Sequence, residues 1–161
     1  MELGQMDLAL RQHGPGDPEL PAILDLIQTA FAYMEGVIDP PSSMRTLTLD
    51  ALCAQATTGE IWSVGPPLAA CVFLTPQPQA LYVSKLAVAV PWRGQGLARR
   101  LIDQAVLRAR HHQRPALDLQ SRVELTGNHA AFAAMGFVET GRSSHPGYSR
   151  PTSITFRRAL A

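Results

Sequence analysis

The sequence predicts a single-domain α/β fold on three observations. Two long segments carry apolar residues every three or four positions, the period of a helix buried on one face. Several short apolar runs, bounded by glycine and proline, read as strands. The two kinds of segment interleave with no linker-like stretch and no internal repeat. A chain of 161 residues, 46% hydrophobic, is long enough for one substantial core and short for two, so residues 1–161 are read as one domain.

Residues 7–11 alternate well enough for a first strand. Gly14, Pro15 and Gly16 then turn the chain, and Asp17-Pro18 offers a helix cap with proline in the first turn. The helix that follows carries Leu20, Ile23, Leu24, Ile27, Ala30, Phe31 and Met34 on one stripe and ends near Gly36. Asp39-Pro40-Pro41-Ser42-Ser43 has too few amide donors to stay helical and forms a loop, before a short helical piece opening near Asp50. Residues 61–64 and 68–74, separated by Gly65-Pro66-Pro67, form a hairpin. Residues 81–90 are rich in β-branched side chains; periodicity alone would also admit a buried helix, and length and turn signals favour a strand. From 96 to about 112 the period is helical, with Leu97, Leu101, Ala105 and Ala109 inward. A strand at 116–119, a helix at 128–135 closed by Gly136, and strands at 138–142 and 153–158 complete the chain.

Composition excludes several function classes. A formal charge of +1 with scattered arginines gives no broad attraction to nucleic acid or to an anionic membrane, so neither is expected as a partner. Met1-Glu2-Leu3-Gly4-Gln5 lacks the basic start of a signal peptide, and no apolar run approaches the ~20 residues of a membrane span, so a cytoplasmic protein is expected. Cys53 and Cys71 lack metal-ligand spacing and read as two buried thiols in a reducing compartment. His111-His112 end a helix, where positive charge is favoured. His13, His129 and His145 are isolated, and no metal site is expected. Arg157-Arg158 reads as a solvated strand end.

The most informative segment runs from the strand ending at Val90 through Pro91-Trp92-Arg93-Gly94-Gln95-Gly96 into an amphipathic helix. Glycines admit close backbone approach, and the first helical turn leaves amides unpaired with a positive partial charge, a natural site for a pyrophosphate. Arg93 adds a forked cation. The dinucleotide fingerprint fails because Arg99 stands where a third small residue is needed, and the P-loop fails for want of Gly-Lys-Ser/Thr. A nicotinamide or flavin oxidoreductase domain is therefore disfavoured.

What remains is Arg-x-x-Gly-x-Ala, filled by Arg93, Gly96 and Ala98, which resembles motif A of the GNAT superfamily of N-acetyltransferases. Tyr82-Val83-Ser84-Lys85-Leu86-Ala87-Val88 is similar to the strand preceding that motif, and residues 128–137, ending in Gly136-Phe137, resemble the helix that follows. The resemblance implies a mixed, mostly antiparallel central sheet, splayed after the fourth strand and flanked by helices. It also implies that acetyl-CoA binds as co-substrate, without metal, through Leu86, Ala87, Val88, Arg93, Gly94, Gln95, Gly96, Leu97, Ala98 and Asn128. An amide such as that of Val88 would stabilise the developing oxyanion, with transfer direct to the amine.

Proton transfer needs a base and an acid, and here the sequence departs from the family. Gln120 stands where some relatives carry a glutamate base, Phe132 where some carry a tyrosine acid, and Leu125 where asparagine is usual; Arg122 matches. The replacements offered are Tyr148 as acid and Glu35 as base, with Glu60 and Glu124 as rival bases. Glu35, Asp39, Ser42 and Ser43 would meet an ammonium substrate. The function expected is acetyl transfer to a primary amine of a small molecule or peptide, by a monomer or homodimer. The alternative is an acyl-CoA-binding module without turnover, supported by Gln120 and Phe132.

Overall fold

In the computed structural model, which describes residues 8–161, seven strands and four α-helices follow one another. They are β1 (Ala9–Gln12), α1 (Leu20–Phe31), α2 (Leu49–Thr58), β2 (Glu60–Gly65), β3 (Ala70–Pro76), β4 (Leu81–Val88), α3 (Leu97–His111), β5 (Ala116–Arg122), α4 (Thr126–Ala134), β6 (Val138–Ser143) and β7 (Ser153–Ala159). Asp7, at the start of the expected first strand, and the segment read for a signal peptide lie outside the described residues.

The strands form one sheet in the order β1-β2-β3-β4-β5-β7-β6. Every neighbouring pair is antiparallel except β4 and β5. Along β3 all the central residues are buried because both faces are covered. Val72 and Leu74 join Leu101, Ile102 and Ala105 of α3 on one side, while Cys71 and Phe73 join Ile23 and Ile27 of α1 on the other. The helical stripes read from sequence supply these contacts, and truncating a fully buried member such as Leu101 to alanine costs about 2–5 kcal/mol.

Two irregularities position everything that follows. Between β3 and β4 the register shifts, Cys71 pairing with Ala87 but Phe73 with Ser84, so β4 holds one extra residue opposite Val72. Lys85 sits in that bulge with φ +54°, in the left-handed region. Between β4 and β5 only Leu81↔Leu117 and Tyr82↔Asp118 pair, after which the two parallel strands diverge. From Val83 onward the edge of β4 facing β5 has no strand partner.

Several boundaries move from their expected places. Helix α1 starts at Leu20, with no side-chain cap on it. Asp17 instead accepts a hydrogen bond from the Glu19 amide (2.8 Å) and holds His13 Nδ1 with its other oxygen (2.9 Å). His13 Nε2 lies 2.6 Å from Ser63 Oγ, and His13 is 3% exposed and Ser63 0%, so this relay pins the β1–α1 turn to β2 and meets solvent only at Asp17. Helix α1 gives way after Phe31 to a 3₁₀ turn (Ala32–Met34), which still buries Met34. Strand β4 stops at Val88, and Val90–Trp92 form a 3₁₀ turn around the buried Trp92. Strand β5 extends to Arg122, since β7 pairs with its whole length. Arg157 is partly solvated, as expected of a strand end, and also donates to both oxygens of Asp118, its cross-strand partner, at 2.7 and 2.9 Å.

Candidate active site

The turn into α3 is held open by two glycines. Gly94 has φ +77° and Gly96 φ +79°, a conformation costly for residues with a Cβ. A Cβ built on either would meet nothing within 4 Å, so the space above both is clear. Gly96 contributes no side-chain cap, and the first intrahelical bond runs from Arg100 N to Gly96 O (3.0 Å), leaving the amides of the first turn without helical partners. Arg93 stays beside the turn, its Nε donating to Val88 O at 3.4 Å.

From this turn a cleft of about 650 Å³ runs back between the diverging β4 and β5. Among the residues named from sequence, Leu86, Ala87, Val88, Arg93, Ala98 and Asn128 line it. Gly94, Gln95 and Gly96 form the turn at its end, while Leu97 packs its side chain into the core. Asn128 donates from Nδ2 to Tyr33 Oη (3.3 Å), linking α4 to the segment after α1. Tyr148 and Glu35 are not on the cleft wall: Glu35 is exposed beside a smaller neighbouring recess shared with Gln28 and Met44.

Tyr148 belongs to a strap over the rim. Its hydroxyl donates to Asp39 Oδ1 (2.6 Å), Arg150 Nη2 donates to Asp39 Oδ2 (3.3 Å), and the Arg150 guanidinium stacks 5.5 Å from the Tyr148 ring. Arg122 Nη1 and Nη2 donate to the carbonyls of Pro40 (2.6 Å) and Pro41 (3.3 Å). Glu124 Oε2 accepts from the Asp39 amide (3.2 Å), while its other oxygen is buried with no hydrogen-bond partner among the described residues. The hydrogen bond to Asp39 raises the Tyr148 pKa, with partial burial and the Asp39 charge adding and the nearby arginines opposing. The polar loop at 39–43 is thereby tied across to β5 and to the segment before β7.

The charge on the cleft wall has one sign. Its ionisable side chains are the cationic or basic Lys85, Arg93, Arg122 and His145, with Tyr33 and Tyr82; no Asp or Glu is among its described residues. Lys85 is half-buried, and burial lowers its pKa from the ordinary lysine value. Its carbonyl accepts from Cys71 Sγ (3.7 Å), but its side chain makes no hydrogen bond or ion pair with the described residues. His145 donates its backbone amide to Thr152 Oγ1 (2.9 Å), and its Nδ1 is hydrogen-bonded to the same hydroxyl.

Sequence reasoning treated His145 as isolated and did not single out Lys85. Both reach the cleft through features set by distant pairing, the bulge against β3 and the β6–β7 loop. The rival bases are placed plainly. Glu60 is 5% exposed and is not on the cleft wall, being bonded to Trp62, Arg108 and His112. His112 thus joins an ion-pair cluster besides ending α3. Cys71 is buried, and burial pushes its thiol up to about 12 against a small opposing backbone contact; Cys53 is half-buried rather than buried.

No helix among the described residues is long and apolar enough to cross a membrane, and none of their His, Cys, Asp and Glu side chains cluster in a group fit for a metal ion. No curated protein matches the chain in sequence. Solved structures do match its fold. A GNAT family acetyltransferase from Elizabethkingia anophelis with acetyl-CoA bound superposes with TM-score 0.71 at 19% identity, covering 97% of this chain and all (100%) of that one. PaiA N-acetyltransferase from Thermoplasma acidophilum, in complex with coenzyme A, gives TM-score 0.78 at 10% identity over 96% of this chain and 100% of its own. The ribosomal-protein-S18-alanine N-acetyltransferase from Escherichia coli gives 0.70 at 19%, over 95% of each chain. A sequence profile described as the acetyltransferase (GNAT) family matches residues 22–137, most of the chain, from within α1 to just past the end of α4. With the glycine turn and the splayed sheet already in place, that match makes the chain a member of the GNAT family of acetyltransferases.

Proposed function

We propose that this protein transfers the acetyl group of acetyl-CoA directly to a primary amine of a small molecule or peptide, within the cleft between β4 and β5. The observation that carries the proposal is the continuity of the unpartnered β4 edge with the open glycine turn at the head of α3. The unpaired amides of that turn and the Arg93 guanidinium suit a pyrophosphate, and the β5-facing edge of β4 at Leu86, Ala87 and Val88, which has no strand partner, suits the amide-bearing arm behind it. Acetyl-CoA, when bound, supplies an activated thioester carbonyl. An amide donor on β4 such as Val88 would stabilise charge developing on that carbonyl oxygen.

Direct transfer is favoured over a covalent relay through cysteine. Cys71 is buried with a raised pKa, Cys53 lies on α2, and neither lines the cleft. Proton transfer is assigned to His145, the imidazole on the cleft wall, whose Nδ1 contact with Thr152 orients the ring. Tyr148 would need to leave Asp39 to reach a departing thiolate, and Glu35 would act from the neighbouring recess only through water. The other reading, an acyl-CoA-binding module without turnover, draws on the same wall, where Gln120 and Phe132 stand and no carboxylate does.

Titration of the protein with acetyl-CoA by calorimetry, followed by a thiol-release assay over a broad amine panel, separates these readings. Binding in the micromolar range with amine-dependent release of coenzyme A is the expected result. Binding without release for any amine would favour the non-catalytic module, and no binding at all would sink both.

A further inference from the structure

The cleft's charge narrows the class of acceptor. Lys85 stands in the splay, three residues before Val88, so roughly 10 Å back along β4 from the end nearest the glycine turn. The bulge holds it there: φ +54° and the extra residue opposite Val72 break the alternation that would otherwise fix its neighbours' faces. Its ammonium is half-buried with no carboxylate beside it on the cleft wall. The two carboxylates of the strap are not on the cleft wall: Asp39 is held by Tyr148 and Arg150, and Glu124 Oε2 by the Asp39 amide and, at 3.9 Å, Arg150, while its Oε1 is buried without a partner among the described residues. Arg122, the other cation on this stretch of wall, is turned to the carbonyls of Pro40 and Pro41.

Removing a lysine from water without a counter-charge is unfavourable, and a bound anion reverses that cost. A polyamine or a lysine-rich peptide would bring more positive charge to a wall that carries Lys85, Arg93 and Arg122 and no carboxylate. A single ammonium with the hydroxyl of Ser84 adjacent suits a monoanion; a phosphate dianion would call for more donors than this stretch offers.

We infer that Lys85 is a specificity-determining residue that binds a carboxylate carried by the acceptor, so that the preferred substrates are amino-acid-like amines. The inference rests on the reading of this cleft as the acceptor site of a transferase.

The test pairs acceptors that differ only in the carboxylate, phenylalanine with phenethylamine, lysine with cadaverine and methionine with its decarboxylated amine. Assays use the intact protein and its Lys85→Met and Lys85→Arg variants. The carboxylated member of at least one pair is expected to have a KM lower by about tenfold or more, the usual worth of one charge-assisted hydrogen bond. Lys85→Met should abolish that difference, Lys85→Arg should restore much of it, and the KM for acetyl-CoA should stay unchanged in both. Equal or better turnover of the decarboxylated amines, or a rise in the acetyl-CoA KM in Lys85→Met, would overturn the assignment. So would a Lys85-dependent preference for succinyl-CoA over acetyl-CoA, which would move the anion from acceptor to donor. A second arm measures binding of N-acetyl amino acids and N-acetyl amines in the presence of coenzyme A. Lys85-dependent binding of the former without any turnover would sink the transferase reading alone, and no preference in this arm would sink the present one.

Discussion

The guanidinium of Arg108 grips both carboxylate oxygens of Glu60, at 2.8 Å each, across the seam between α3 and β2. Trp62 donates its indole N–H to Oε1 (2.7 Å), and His112 Nε2 lies 2.6 Å from Oε2. Burial works to raise the Glu60 pKa, but the hydrogen bonds from Arg108, Trp62 and His112 outweigh it and bring it down to about 2.

A depressed carboxyl pKa stabilises the fold above the unfolded value of 4.5, and that contribution is lost as pH falls through about 2. Glu60→Gln should therefore cost about 2 kcal/mol at neutral pH, the full shift being discounted for solvent screening at the seam. The difference from the parent should shrink as pH falls below 4.5. Denaturant unfolding between neutral pH and pH ~3 checks this, and a gap independent of pH would show that the ionised cluster is not its source.

Gly96→Asp places a carboxylate over the amides at the start of α3. Because a Cβ there meets nothing within 4 Å, the folded chain pays only the left-handed strain, about 1–2 kcal/mol. Acetyl-CoA affinity should fall by at least roughly tenfold, since like charge would occupy the anion site. Calorimetry beside a melting curve distinguishes this from unfolding, as the variant should melt cooperatively yet fail to bind.

The strap joins residues far apart in sequence through Tyr148 and Asp39. Tyr148→Phe and Asp39→Asn should loosen the loop at 39–43, raising the acceptor KM by about threefold to tenfold and leaving acetyl-CoA binding intact. Faster proteolysis within that loop would accompany the change. If kcat instead fell by about a hundredfold with KM unaltered, Tyr148 would be acting as the acid.

His145→Gln keeps a hydrogen-bonding side chain but no titrating ring. A kcat lower by about 10² with unchanged acetyl-CoA affinity is expected of a general base. Steady-state kinetics across pH, showing that the variant loses a limb of the parent's profile, identifies the proton-transfer role; an unaltered profile rejects it.

The parts of this molecule written in local pattern are legible in the sequence. The stripe of Leu97, Leu101, Ala105 and Ala109 is indeed the buried face of α3, and the two positive-φ glycines before it need no more than the sequence Gly94-Gln95-Gly96 to be noticed. Fold class and family follow from these and from their neighbours. The cleft wall was less legible because its decisive groups meet through pairing between distant segments. Lys85 becomes a cleft residue by virtue of a register shift against β3, and Asp39 is engaged by Tyr148 and Arg150, 109 and 111 residues away. Helix ends drifted for a related reason: Asp17 is a plausible cap in isolation, yet His13 and the Glu19 amide claim its two oxygens first.

The bulge at Lys85 also changes the parity of β4. Before it, odd-numbered Leu81 and Val83 face α3; after it, Leu86 and Val88 lean that way and odd-numbered Ala87 faces α1. One strand thus behaves as two half-strands in opposite phase. The half paired with β5 answers to the core beneath α3, while the half beyond the bulge lines the cleft and still packs on both faces of the sheet, Ala87 being only 3% exposed. Removing the extra residue would flip every side chain from Leu86 onward to the wrong face while leaving Leu81 and Val83 in place. A change of length at the bulge would therefore reshape the cleft and both packed faces at once, which binds the two together as one unit.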